Sequence, residues 1–130
     1  MSNLEIFMKQ LSYEMELANP LQSQEGGRYI LPIDEDTHIT ISKEEQGILF
    51  SSNFVECPNL KKESFLENLL VANLFGQGTS HAVLGLNETG EKISLTRFID
   101  DSVSYRDFSE ILEDFINTID FWKQETLNFR

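Results

Sequence analysis

The side chains best suited to chemistry in this chain are two histidines, His38 and His81, one cysteine, Cys57, and a surplus of carboxylates, 22 Asp and Glu in 130 residues. Histidine is the usual proton carrier near neutral pH and a common metal ligand. No HxxxH or HExxH spacing joins the two, so a metal would need carboxylates from distant segments. Both histidines fall in strand-like stretches, where a solvent-facing or packed imidazole is the simpler account. Asp34-Glu35-Asp36 opens like a calcium loop, and Glu45 stands where the closing ligand belongs. Ile39 takes the place of the turn glycine, however, and His38-Ile39-Thr40-Ile41-Ser42 reads as strand, so the loop is rejected.

Phosphate and nucleophile chemistry fail in the same way. A phosphate loop follows a strand, opens a helix and carries a lysine. Gly76-Gln77-Gly78-Thr79 follows a helical stretch, opens a strand and has no lysine. It reads as a turn at a helix C-terminus, an end whose partial negative charge repels anions. Cys57 lies beside Pro58 with no basic neighbour in sequence to favour a thiolate. One cysteine allows neither an intrachain disulfide nor a thiolate metal cluster. No GxSxG is present, and carboxylate pairs among 22 acids single out nothing. The chain is read as a non-enzyme that uses no cofactor and no metal.

The segments that carry these residues alternate clearly between helix and strand. Leu4, Phe7, Met8, Leu11 and Met15 make one apolar stripe on a helix from Asn3 to about Leu17, stopped by Ala18-Asn19-Pro20. Three strands follow: Arg28 to Asp34, His38 to Ser42, and Ile48 to Val55. They are joined by the acidic turn at Asp34-Glu35-Asp36 and by Glu44-Glu45-Gln46-Gly47. Connections this short require antiparallel pairing. Pro32 cannot donate to a ladder, which places its strand at a sheet edge or the proline at an unpaired position.

A second helix, Lys61 to Phe75, follows Pro58 and ends at Gly76, with Phe65, Leu66, Leu69, Leu70, Ala72 and Asn73 on a broad face. Strands at Ser80 to Leu86 and Ile93 to Ile99 flank the hairpin loop Asn87-Glu88-Thr89-Gly90. The last helix carries Phe108, Ile111, Leu112, Phe115, Ile116, Ile119 and Trp122 at helical spacing, with Ser104 and Asp107 as a variant capping box. The fold class is α+β in one domain, residues 1–130, in the order αβββαββα, with a twisted antiparallel sheet and three helices.

Apolar residues make up 40% of the chain, enough for one core and too many for a disordered tail. The net charge of -12 would repel a phosphate backbone or an anionic lipid surface. Nucleic acid and membrane insertion are excluded as partners on that ground, and no run of apolar residues is long enough to span a bilayer. Met1-Ser2-Asn3-Leu4-Glu5 lacks the basic flank and apolar run of a signal peptide, so a cytoplasmic location is expected. Ten phenylalanines are many for so small an interior, so some are expected on a contact surface, and the acidity either steers the molecule towards basic or mixed-charge polypeptide or only keeps it from aggregating, the plainer reading of composition alone.

One stretch is more specific than its parts. Leu69-Leu70-Val71-Ala72-Asn73-Leu74-Phe75-Gly76-Gln77-Gly78-Thr79, followed by Ala82-Val83-Leu84-Gly85-Leu86-Asn87 and Gly90, resembles the central signature of the class I type III secretion chaperones, the Tir-chaperone (CesT/SycE-like) family. There a helix ending in Leu-Leu-x-x-Asn-Leu passes through a Gly-Thr turn to a strand bearing Leu-Gly-Leu. Tyr29, Leu31, Ile33, Asp34 and Asp36 look like that family's first strand and acidic turn, and Phe108 to Trp122 like its closing helix. Ser80-His81, where the family often has glycine, and Pro32 depart from the pattern.

The resemblance implies a bacterial, cytoplasmic, dimeric, ATP-independent chaperone. Such a protein binds the N-terminal segment of a secreted effector or secretion regulator and keeps it non-globular until export. A homodimer is expected, and a heterodimer with a second chaperone is the variant known in the family. By position the resemblance puts Leu70, Asn73, Leu74, Val83 and Leu84 at the dimer interface. It puts effector contact on Phe7, Tyr29, Leu31, Ile33, Ile39, Ile41, Phe50 and Phe54. Each of these has a core reading beside the binding one, because alternation tells which residues share a face and not what that face meets. The alternative function is a small acidic immunity or inhibitor protein that blocks a toxin by surface complementarity.

Overall fold

The computed structural model describes residues 3–16, 27–45, 47–59, 61–75 and 81–128. The elements are α1 (Asn3–Glu14), β1 (Arg28–Pro32), β2 (His38–Glu44), β3 (Gly47–Glu56), α2 (Lys62–Phe75), β4 (Val83–Leu86), β5 (Lys92–Asp100) and α3 (Tyr105–Leu127). The order is the one expected from the sequence. The strands form a single antiparallel sheet ordered β1-β2-β3-β5-β4, so β1 and β4 are its edges.

Period-two alternation decides what the sheet buries. Tyr29 and Leu31 on β1, Ile39 and Ile41 on β2, Ile48 and Phe50 on β3, and Ile93 and Leu95 on β5 are all buried. The register aligns Ile41 with Tyr29 and Phe50, so these side chains share one face. The helices cover that face, giving two layers around one core. Phe50 meets Phe108 and Phe115 of α3 edge-on, each at 5.6 Å between ring centroids. Phe7 brings α1 onto Phe108 at 4.9 Å, and Phe65 brings α2 onto Trp122 at 6.3 Å. Such aromatic pairs contribute about 0.5–1.5 kcal/mol each beyond the area they bury.

The helix ends have local causes. Ser104 caps α3, its Oγ accepting the Asp107 N–H at 3.1 Å. That satisfies one of the four amides a helix start leaves open. The helix then runs on to Leu127, beyond the periodic stretch that ends at Trp122, with Thr126 buried and its Oγ1 donating to the Lys123 carbonyl at 2.7 Å. At the other end of the chain α1 is shorter than expected. It stops at Glu14, and Glu16 takes a left-handed φ of 54°. Met15, past the last helical residue, is exposed and drops out of the buried stripe. Leu17 and the Gly76 stop lie outside the described residues.

Pro32 is on an edge strand. Lys43 N–H donates to the Gly27 carbonyl (3.2 Å) and Ile33 N–H to the Thr37 carbonyl (2.9 Å), which fixes the hydrogen-bonding phase of β1 against β2. The odd-numbered residues pair inward, and Arg28, Ile30 and Pro32 turn their backbone groups to the rim. The missing N–H of Pro32 therefore costs the sheet no internal bond. In the β4–β5 hairpin, the Asn87 side chain accepts the Glu91 and Lys92 amides at 3.2 and 3.1 Å, and Gly90 supplies the positive φ of 74° the turn needs.

Candidate binding surfaces

The Leu69-to-Gly90 signature builds the first surface. Phe65 and Leu69 are buried, which turns Leu70, Val71 and Leu74 outward: Leu70 is 68% and Leu74 77% exposed. These two are one helical turn apart and share a face. Asn73 is half-buried on the flank between this row and the buried one, at the junction with β4. Its Nδ2 donates to the Leu84 carbonyl at 2.7 Å, and its Oδ1 accepts the Leu84 N–H at 2.8 Å. Leu84 is core at 3% exposure, whereas its neighbour Val83 is 58% exposed. Leu70, Leu74 and Val83 thus flank one Asn73–Leu84 junction. Large aliphatic side chains exposed in this way on a protein with 22 carboxylates make this a candidate contact surface.

The second surface is the β1 rim with its acidic turn. Ile30 is exposed there, and its backbone faces outward. The turn is held from two sides. Asp34 Oδ1 accepts the Asp36 N–H at 2.9 Å, and Asp34 Oδ2 pairs with Lys123 Nζ of α3 at 2.9 Å. Lys123 also donates to the buried Thr37 hydroxyl. The Lys123 hydrogen bond, and then the Asp36 amide, hold the Asp34 carboxyl below its ordinary value. The α1 helix adds exposed Ile6 and Tyr13. Its last turn is tied to α3 by the Tyr105 hydroxyl, which donates to Glu14 Oε2 at 2.7 Å. Burial, with Glu14 beside it, pushes the Tyr105 hydroxyl up to about 12.

The residues tested for chemistry stay apart. His38 and His81 are both exposed, the latter at a positive φ of 71°, with its carbonyl accepting Arg97 Nη1 at 3.1 Å. Cys57 is buried, and its thiol faces the Pro58 carbonyl at 3.7 Å. A cleft of about 370 Å³ opens beside it, lined by Glu56, Asn59, Lys62, Thr89, Gly90, Glu91 and Lys92, with two acids facing two amines. Among the described residues no three His, Cys, Asp or Glu side chains come together as metal ligands. No described helix is long and apolar enough to cross a membrane.

The structure divides the residues that the resemblance singled out. Of the interface set, Leu70, Leu74 and Val83 face outward, while Asn73 and Leu84 form the joint behind them. Of the effector set, Phe7, Tyr29, Leu31, Ile39, Ile41, Phe50 and Phe54 lie in the core, and Ile33 packs half-buried against it. Sequence reasoning passed over Ile30, Ile6 and Tyr13, which those same elements expose. The signal for Ile30 was present: it is the apolar residue out of phase with Tyr29 and Leu31.

Comparison with known proteins bears on the whole of this arrangement. The model of the Tir chaperone protein (CesT) family matches residues 7–123. A Chlamydia pneumoniae protein known as CPj0713/CpB0740 is 27% identical over 121 residues, covering 92% of each chain. A chain of the ExsC-ExsE complex superposes with a TM-score of 0.80 at 17% identity, covering 97% of both chains. A chain of the HopA1-SchA chaperone-effector complex gives 0.75 at 18% identity, covering 94% of both. At such identities the likeness speaks for the fold, and it holds from end to end.

Proposed function

The chain belongs to the Tir chaperone protein (CesT) family, and on that footing we propose that it is a type III secretion chaperone. It binds the N-terminal segment of a secreted effector or secretion regulator and holds it extended and ready for export. It works by binding alone, in the bacterial cytoplasm, without nucleotide, cofactor or turnover. The observation that carries this reading is the family match across residues 7–123, which covers the β1 rim, the acidic turn, α2 and β4 whole and most of α1. The immunity-protein alternative has no observation of its own and is set aside.

The surfaces suit the work. An extended segment can add a strand at the β1 rim, where main-chain bonds give affinity and neighbouring apolar side chains give selectivity. Effector contact is proposed on α1 and β1–β3, as the resemblance implied. Ile33, with Ile30, Ile6 and Tyr13, provides the touching side chains, and Phe7, Tyr29, Leu31, Ile39, Ile41, Phe50 and Phe54 form the frame beneath. The dimer is proposed to close over Leu70, Leu74 and Val83, with Asn73 and Leu84 setting their position.

Co-expression with candidate effectors followed by limited proteolysis tests the function. The expected result is protection of one N-terminal effector segment that has no fold of its own. Protection of a folded effector domain would overturn the chaperone reading and return the inhibitor alternative.

A further inference from the structure

A five-stranded open sheet has two edges, and each is a template for another strand. The two edges of this sheet differ in kind. On β4 the Asn87 N–H donates to the Lys92 carbonyl at 2.9 Å, so with the β4–β5 register Val83 and Gly85 pair inward. Leu84 and Leu86 are left facing out. Leu84 is the central one, and both of its backbone groups are taken by the amide of Asn73. One side chain thereby makes the two bonds that a residue of a sixth strand would make. On β1, Ile30 turns an N–H and a carbonyl to the rim, and its side chain is exposed.

Asparagine is a poor helix former, because its amide competes for backbone partners. Its presence near the end of α2, between apolar Ala72 and Leu74, is accounted for by this bond pair. A carboxylate there could accept from the Leu84 N–H but could not donate to its carbonyl. An alanine could do neither.

We propose that Asn73 is an edge lock: it closes β4 to strand addition, so that extended polypeptide is taken up at β1 alone and a second copy meets β4 through side chains. The proposal rests on the strand-addition reading given above and specifies the edge it uses. It also assigns Asn73 a positioning role. Asn73 sets which main-chain groups are offered and touches no ligand itself.

The test uses a short peptide of alternating Val and Lys, N-methylated at every second residue so that it offers main-chain bonds along one side only. Residue-resolved amide hydrogen exchange is read with and without it. In the unaltered protein the Leu84 amide is expected to exchange slowly before any peptide is added. The peptide is expected to slow Ile30, leave Leu86 unchanged, and saturate at one per chain. In Asn73→Ala the Leu84 amide is expected to exchange about two- to tenfold faster, the effect of losing an ordinary hydrogen bond. The peptide is then expected to slow Leu84 and Leu86 as well as Ile30, with a second copy bound.

Asn73→Asp keeps the size and one of the two bonds, and it serves if the alanine variant does not fold; the same gain at Leu86 is expected. Peptide protection of Leu86 in the unaltered protein would overturn the lock. So would a folded Asn73→Ala with a fast Leu84 amide, or a folded Asn73→Asp, that still binds a single peptide and leaves Leu86 unprotected. An Ile30 amide that the peptide never slows would overturn uptake at β1, and the strand-addition reading with it. The response of β4 in the variants would still report on the lock, so the two failures are distinguishable.

Discussion

At the scale of single residues, two tethers define where α1 and the acidic turn sit, and one of them titrates in a readable range. The Tyr105 hydroxyl donates a hydrogen bond to Glu14, and burial, with that bond, pushes it up to about 12 in the fold from 10.0 when unperturbed. The folded state thus holds that proton more tightly than the unfolded chain does. The stabilisation is complete below pH 10 and is lost as pH rises through about 12. Denaturant unfolding of the unaltered protein is expected to show falling stability across that span, and Tyr105→Phe a flatter profile with lower stability at neutral pH. A parallel decline in both proteins would remove the buried Tyr105 hydroxyl as its cause. Residues are also the scale at which the sequence was least legible. Seven of the eight effector candidates lie in the core, since alternation gives a face its members but not its neighbours. Exposed Ile30 was readable only by its phase against Tyr29 and Leu31.

Elements were far more legible, because periodicity is a property of segments. All eight appear in the expected order, and Pro32 marks the edge strand through the hydrogen bond it cannot make. What periodicity could not show was where a repeating pattern stops. Glu16 turns left-handed and ends α1 early, while α3 continues to Leu127. The start of α3 was legible because Ser104 and Asp107 carry a local chemical signal. Removing it is expected to have a cap's ordinary cost: Ser104→Ala should lower unfolding free energy by about 1 kcal/mol. Urea denaturation of the two proteins checks this, and no change in midpoint would show that the Ser104 bond adds nothing net. A larger loss would mean that the first turn of α3, where Phe108 meets Phe50 and Phe7, depends on the cap for its packing.

At the scale of the whole molecule, the fold was legible because the signature from Leu69 to Gly90 joins a helix and a strand that must meet. The residues proposed for the interface differ in exposure. Leu84 read as a contact residue and is core at 3% exposure, so a charge there would unfold the chain and report nothing about association. Leu74, at 77% exposure, is the better probe. Light scattering is expected to give about twice the 15.0 kDa chain mass for the unaltered protein and the single-chain mass for Leu74→Asp, with the circular dichroism spectrum unchanged. A variant that stays at the larger mass would move the interface away from α2. Pro32 has a last consequence, and it is mechanical. A strand laid on β1 finds the donor Ile30 on the rim and then, at Pro32, a break in the ladder. Pulled from the Pro32 end, such a strand peels, loading one bond at a time. Pulled along its length, it shears and loads them together. A segment peeled from its Pro32 end would meet one bond fewer at the start than one peeled from the other end, so the rim would make one direction of removal the easier.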